Sequence, residues 1–250
     1  MIAVRRPRLA LAMFLLGSTL AFGLVAASQA VAKAVTRIRA DTGIRVKGFA
    51  STDLDSDLAR WSAEVTARAA TLPEAYAKLE RGVARLQEFV GTKGFPESTW
   101  SLSSISTSEI HKRDADGNRT NEIEAYALAQ TLGVRSERVW EISELAREAT
   151  SLLREGIEIR SYPANYTSSR IETVKLELLE AATANARQRA DTLARGSGGR
   201  VGRLASASQG VFQIVPRDST DVSDYGSYDT TTIRKTVKAV VTLDFSLGGE

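Results

Sequence analysis

The residue types best suited to chemistry are scarce in this chain. It has one histidine and no cysteine. His111 stands beside Lys112 and Arg113 at the end of a strand-like run. A serine–histidine–acid relay there would need a serine and an acid delivered by the fold, and no G-x-S-x-G elbow is present. A histidine in a charged hairpin tip reads as a solvated side chain. One histidine without cysteine also cannot assemble the usual zinc sets, which need three or four such ligands. The expectation is a protein that is not an enzyme, with no catalytic, cofactor-binding or metal-ligating residue to name.

The acids offer three further arrangements. Asp53, Asp55 and Asp57 fall at every second position, and Asp114, Asp116 and Asn118 resemble the start of a calcium loop. Such a loop needs glycine at its sixth position and glutamate at its twelfth. Counted from Asp114, glycine falls fourth and Ala125 twelfth, so the match fails. Both clusters read as polar turns in which aspartate bonds local backbone. The third arrangement is the run DSTDVSDYGSYDTTT, with Asp221, Asp224, Tyr225, Tyr228 and Asp229. Acids and aromatics in an exposed loop form either a contact surface or a plain surface loop. The glycines Gly196, Gly198, Gly199 and Gly202 close a helical pattern and precede a strand. A phosphate cradle has the opposite polarity, following a strand and opening a helix.

The N-terminus sets the location. Arg5, Arg6 and Arg8 precede an uncharged run from Leu9 to Ala27, and small residues around Ser28–Ala32 follow. Residues 1–30 therefore read as a secretory signal or as a retained N-terminal anchor, because the run is long for a signal and just long enough to span a bilayer. Either version places the rest outside the cytoplasmic membrane, in the periplasm or cell envelope, soluble after cleavage or anchored by residues 9–27. Three of the 33 basic residues and none of the 30 acids lie in residues 1–30, so the remainder carries thirty of each. The excess positive charge is thus no nucleic-acid footprint. Without cysteine, export brings no disulfide framework.

The elements that must position these residues follow from periodicity. Gly43–Phe49 reads as a strand, Ser51–Asp57 as a loop, and Arg60–Arg68 as a strand with Trp61, Ala63, Val65 and Ala67 on one face. Thr71 and Glu74 box the start of a helix whose inner face carries Tyr76, Leu79, Val83, Leu86 and Val90. Trp100–Ile110 and Ile123–Val134 read as hairpin arms around an Asp116-Gly117 turn. Ser136 opens a further helix, with Val139, Ile142, Leu145, Ala149 and Leu152 inward and Gly156 as its stop. Ser169 and Glu172 read as a capping box for a long helix with an i+4 row of Val174, Leu178, Ala182, Ala186, Ala190 and Ala194. Ile171, Ala181 and Leu193 are expected to widen that row, and Gly196 to end the helix. Strands follow over about Arg203–Val215 and from Val237 to Leu247. Clustered strands and helices favour an α+β fold of mainly antiparallel sheets packed by three main helices. Two strand–strand–helix units point to two lobes, about 43–135 and 136–247.

These pieces together resemble the bacterial SIMPL-domain family. The resemblance is carried by IRVKGFA, TNEIEAYALAQTLGVR, ARQRADTLARGSGGRVGRL, SASQGVFQI and VSDYGSYDTTTIRKTVKAVVTLDF, and it covers about residues 36–247. It implies an exported α+β protein of the envelope. It also implies kinship with relatives described as ring- or channel-like oligomers and with others linked to oxidative-stress defence. The family carries no agreed catalytic residues. The resulting expectation is a non-enzymatic envelope protein acting by self-association or through an unknown envelope partner, in an envelope or oxidative stress response. It would bind no nucleic acid, and would meet the membrane through its N-terminal segment if that is uncleaved. The alternative is a periplasmic protein that binds a small molecule or metal ion.

Overall fold

The computed structural model describes residues 27–29, 43–220 and 223–248. Residues 27–29 are helical and exposed, and the rest of the signal or anchor segment lies outside the described residues. Among the described residues no helix is long and apolar enough to cross a membrane. The architecture is α+β with antiparallel sheets, as expected. From residue 43 onward the described residues form two compact units: one from 43–48, 184–209 and 241–248, the other from 49–183, 210–220 and 223–240.

Strand β1 (Gly43–Asp55) begins in the smaller unit and ends in the larger. The larger unit is built on β2 (Leu58–Ala69), whose alternation is obeyed: Trp61, Ala63, Val65 and Ala67 are buried. It pairs antiparallel with β5 (Arg119–Ser136), β6 (Glu158–Ser161) and β7 (Asn165–Thr167). On its far side β5 takes β3 (Trp100–Leu102) and β4 (Ser106–Arg113). Helix α1 (Leu72–Thr92) packs against β2 and β5, and α2 (Val139–Glu148) against β2. Thr71 caps α1 by accepting the Glu74 N–H, one half of the expected capping box. Leu79, Leu86 and Val90 are buried, whereas Tyr76 is about half exposed, because in that first turn Ala75 holds the inward position and Tyr76 falls to one side of it. Helix α2 tightens into a 3₁₀ segment, Ala149–Glu155, without losing its inward row of Val139, Ile142, Leu145, Ala149 and Leu152. At roughly 1.5–3 kcal/mol for each large side chain, this shared core dominates the unit's stability.

Strand β9 (Gln213–Pro216) pairs antiparallel with Lys235–Lys238 of β11 (Arg234–Gly248), and β10 (Ser227–Tyr228) pairs parallel with β9. In the smaller unit β8 (Arg200–Gln209) pairs antiparallel with Val241–Gly248 of β11. The single strand expected over Arg203–Val215 is therefore two. The break falls at Gly210, whose added Cβ would meet the Val240 carbonyl oxygen at 3.1 Å. The loop expected over Ser51–Asp57 is also corrected: β1 continues to Asp55, with Leu54 buried beneath it.

Helix α3 (Ile171–Gly196) keeps the expected row buried, from Val174 through Leu178, Ala182, Ala186 and Ala190 to Ala194. At 100° per residue an i+4 row advances about 40° per step, so burial follows a winding ridge and no straight stripe. That is why Ala181 and Leu193, placed to widen a straight stripe, are exposed. The start of the helix also differs. Ser169 gives its N–H and hydroxyl to Asp57, at 2.8 and 2.6 Å, and Glu172 pairs with Lys175, so no capping box forms. The left-handed residue at its end is Gly198 (φ +79), two positions beyond Gly196. Gly199 N–H then reaches the Ala194 carbonyl, the long bond of a Schellman cap.

Candidate functional site

The Asp/Tyr loop is held at both ends. Gln213, buried at the start of β9, uses its side-chain amide as a second backbone: Nε2 donates to the Ser223 carbonyl at 2.5 Å, and Oε1 accepts the Ser223 N–H at 3.3 Å. The Ser223 carbonyl also accepts the Gly226 N–H at 3.1 Å, which closes a four-residue turn. Gly226 lies at φ +83, and a Cβ there would sit 3.1 Å from the Phe212 carbonyl oxygen, so the turn demands glycine. Beyond it Asp229 N–H bonds the Ile214 carbonyl at 2.8 Å. Between these anchors Asp224 is exposed, Tyr225 is 97% exposed and Tyr228 is about half exposed. Asp221 lies outside the described residues.

Asp229 belongs elsewhere. Its side chain is 7% exposed and faces Lys235, itself 3% exposed, at 3.3 Å. Oδ1 accepts the Thr231 N–H at 2.8 Å and the Thr231 hydroxyl at 2.7 Å, and Oδ2 accepts the Thr232 hydroxyl. Burial pushes the Asp229 carboxyl up, but the Thr232 and Thr231 bonds and the Lys235 charge outweigh it and bring it to about 2. Burial lowers the Lys235 ammonium, with Asp229 opposing. Lys235 also donates to the Thr232 carbonyl, so two of its three N–H donors are occupied within the loop base and it acts as a structural pin. Lys235 was missed in the sequence, although a signal existed: it falls in phase with Val237, Ala239 and Val241, the inward positions of β11, and with buried Ile233 just before it.

A shallow groove of about 400 Å³ adjoins this network, lined by Trp140, Ser143, Arg217, Thr231 and Arg234 among others. The Arg234 guanidinium lies 5.5 Å from the centre of the Trp140 ring. Arg217 is held by Asp53 and Asp55, at 3.0 and 3.3 Å. The Nε approach to Asp53 is ionic, off the line of a hydrogen bond. An aromatic face, a guanidinium and hydroxyls could hold a small polar or anionic ligand.

The remaining candidates are accounted for by local structure. Asp53 and Asp55 face the Arg217 cation and Asp57 takes Ser169. The Asp57 carboxyl is pushed up by burial yet ends below its ordinary value through the Ser169 bonds. Asp114 accepts the N–H groups of Asp116 and Asn118, forming the hairpin tip. Only Gly117 there has positive φ (+84), so the expected two-residue turn is a type I turn followed by a glycine bulge. His111 is part-buried, with its side chain 12% exposed and Nε2 at 3.4 Å from Glu109, and is no solvated tip residue. Among the described residues no group of three or more histidine, cysteine, aspartate or glutamate side chains could hold a metal.

A family model described as SIMPL, protein of unknown function (DUF541), matches residues 44–245. No curated protein matches the chain. Among solved structures, the de novo designed protein Foldit4 is 15% identical, with a TM-score of 0.23, covering 41% of this chain and 96% of that one. An amidase of the hydantoinase/carbamoylase family from Burkholderia phymatum is 12% identical, with a TM-score of 0.29, covering 49% of this chain and 30% of that one. At these scores neither likeness carries an argument. The chain belongs to the SIMPL family.

Proposed function

We propose that this SIMPL-family chain is a non-enzymatic protein of the cell envelope, exported by its N-terminal segment, that works by self-association or by binding an envelope partner in a stress response. The observation that carries the reading is Tyr225. A tyrosine 97% exposed would be unremarked on a floppy loop, but here it tops a turn tied down by Gln213 and by Asp229. Holding a large aromatic in water on an ordered turn wastes apolar area unless a partner covers it, and aromatics are the commonest anchors of interfaces. Tyr228 and Asp224 flank it with a second ring and a charge. The test is the mass of the species isolated from the cell envelope. An assembly of several chains that Tyr225→Ser reduces to monomers supports self-association; a strict monomer at high concentration removes it.

A second reading is a small-molecule protein of the periplasm, favoured by the groove of Trp140, Arg217 and Arg234. It predicts a thermal shift for some member of a panel of anionic envelope metabolites, absent in Trp140→Ala. No shift with any of them counts against it.

A further inference from the structure

The body from residue 31 carries equal numbers of acids and bases, yet the two units do not share them equally. Among the described residues the larger unit has 20 lysines and arginines against 25 acids, a net of −5. Many of its cations hold a glutamate of their own: Arg85 with Glu155, Lys93 with Glu148, Arg138 with Glu141. The smaller unit has seven lysines and arginines against two acids, a net of +5. Both acids are already engaged. Asp244 is held by Arg45 at 2.6 Å and by the Ser206 hydroxyl, which bring its carboxyl down to about 2, and Asp191 faces Arg187 at 3.4 Å. Lys47, Arg189, Arg195, Arg200 and Arg203 have no carboxylate partner among the described residues.

Four of these cations, Lys47, Arg189, Arg195 and Arg200, border grooves along α3. Gln188 borders two open grooves, each of about 650 Å³. Lys47, Arg189 and Leu193 line one; Arg195 and Arg200 line the other. Leu193, 57% exposed, stands within this cationic field, and Leu204 on β8 is 52% exposed. Cations around an exposed leucine are the composition of a surface that meets lipid headgroups, where the apolar group enters the interface and the charges meet phosphates. A second copy would meet a depleted complement, since eleven of the 25 acids of the larger unit are already held by its own lysines and arginines. Chain continuity points the same way. Fifteen residues separate the apolar run Leu9–Ala27 from strand β1, a reach of at most about 58 Å when extended.

We propose that this basic face of the smaller unit docks on an anionic phospholipid bilayer. The contact is independent of Tyr225, which lies in the other unit. It is tested by floating the full chain, as isolated from the cell envelope, with phosphatidylcholine vesicles with and without phosphatidylglycerol. Any binding through residues 9–27 is common to both vesicle types, so the readout is the increment due to phosphatidylglycerol. Each cation near such a surface contributes about fivefold. Replacing Lys47, Arg189 and Arg195 together by glutamate should cut the increment by at least about a hundredfold. Arg195→Glu with Arg200→Glu, whose side chains form no hydrogen bond or ion pair among the described residues, should cut it by at least about twentyfold with an unchanged thermal transition. No increment in the wild type overturns the proposal, as does an increment indifferent to both variants. Loss of the increment to inorganic phosphate at constant ionic strength also overturns it, by revealing a small-anion site. A fall in oligomer mass in these variants, with lipid binding intact, overturns it in favour of a second copy.

Discussion

Two parts of one loop, six residues apart in sequence or fewer, treat similar side chains in opposite ways. At its tip Asp224 and Tyr225 stand in water; at its base Asp229 is buried against Lys235 and two threonines. Composition alone makes them one acidic, aromatic surface. What separates them is backbone pairing: Asp229 follows β10, whose bonds to β9 turn the chain inward, while Tyr225 sits where the Gly226 turn turns it outward. If the tip is the contact surface proposed above and the base is scaffold, substitutions should divide cleanly between stability and association.

The largest effect belongs to the base. Asp229→Ala leaves the Lys235 ammonium buried and uncompensated, and should cost roughly 3–5 kcal/mol, seen as a melting point lowered by about 10 °C. Asp229→Asn combined with Lys235→Met should cost clearly less than Asp229→Ala, since no unpaired charge is left behind. Equal losses would show that the pair is not the pin described above.

Acid should find the same group. The Asp229 carboxyl falls from an ordinary 3.8 to about 2 in the fold. A depressed carboxylate stabilises above its unfolded value and loses that contribution as pH falls through its folded one. Roughly 2 kcal/mol should therefore be present above about pH 4 and gone below about pH 2. The measurement is wild type against Asp229→Asn in denaturant between these limits, where the gap between them should close as pH falls. A gap that stays constant contradicts the assignment.

Smaller again is Gln213→Ala, which leaves the Ser223 backbone without its side-chain partners. It should cost about 1–2 kcal/mol. It should also loosen the tip, with faster amide exchange at Ser223 and weaker association. Tyr225→Ser should move stability by less than about 0.5 kcal/mol, as surface substitutions do.

Much of this fold could be read in the chain because its elements are strongly periodic. Strand β2 buries the four residues its alternation marks, and the i+4 row of α3 is buried from Val174 to Ala194. What escaped was set by partners far away in sequence. Asp57 displaces the box at Ser169 across 112 positions, and Arg217 holds Asp53 across 164, drawing a supposed loop into β1. The site was partly legible. Tyr225 and Tyr228 were marked by type and setting, but nothing local distinguished Asp229 from Asp224 until β10 was paired. The charge difference between the units was hidden for the same reason, since each unit collects segments that lie far apart along the chain.

The most direct test of the division between pinned base and presented tip is sedimentation of the species isolated from its native cells, wild type beside Tyr225→Ser. The expected result is a wild-type mass several times that of one chain and a variant shifted towards the monomer with its melting point unchanged. A wild type that stays monomeric at every concentration, or a variant that assembles as the wild type does, would contradict it.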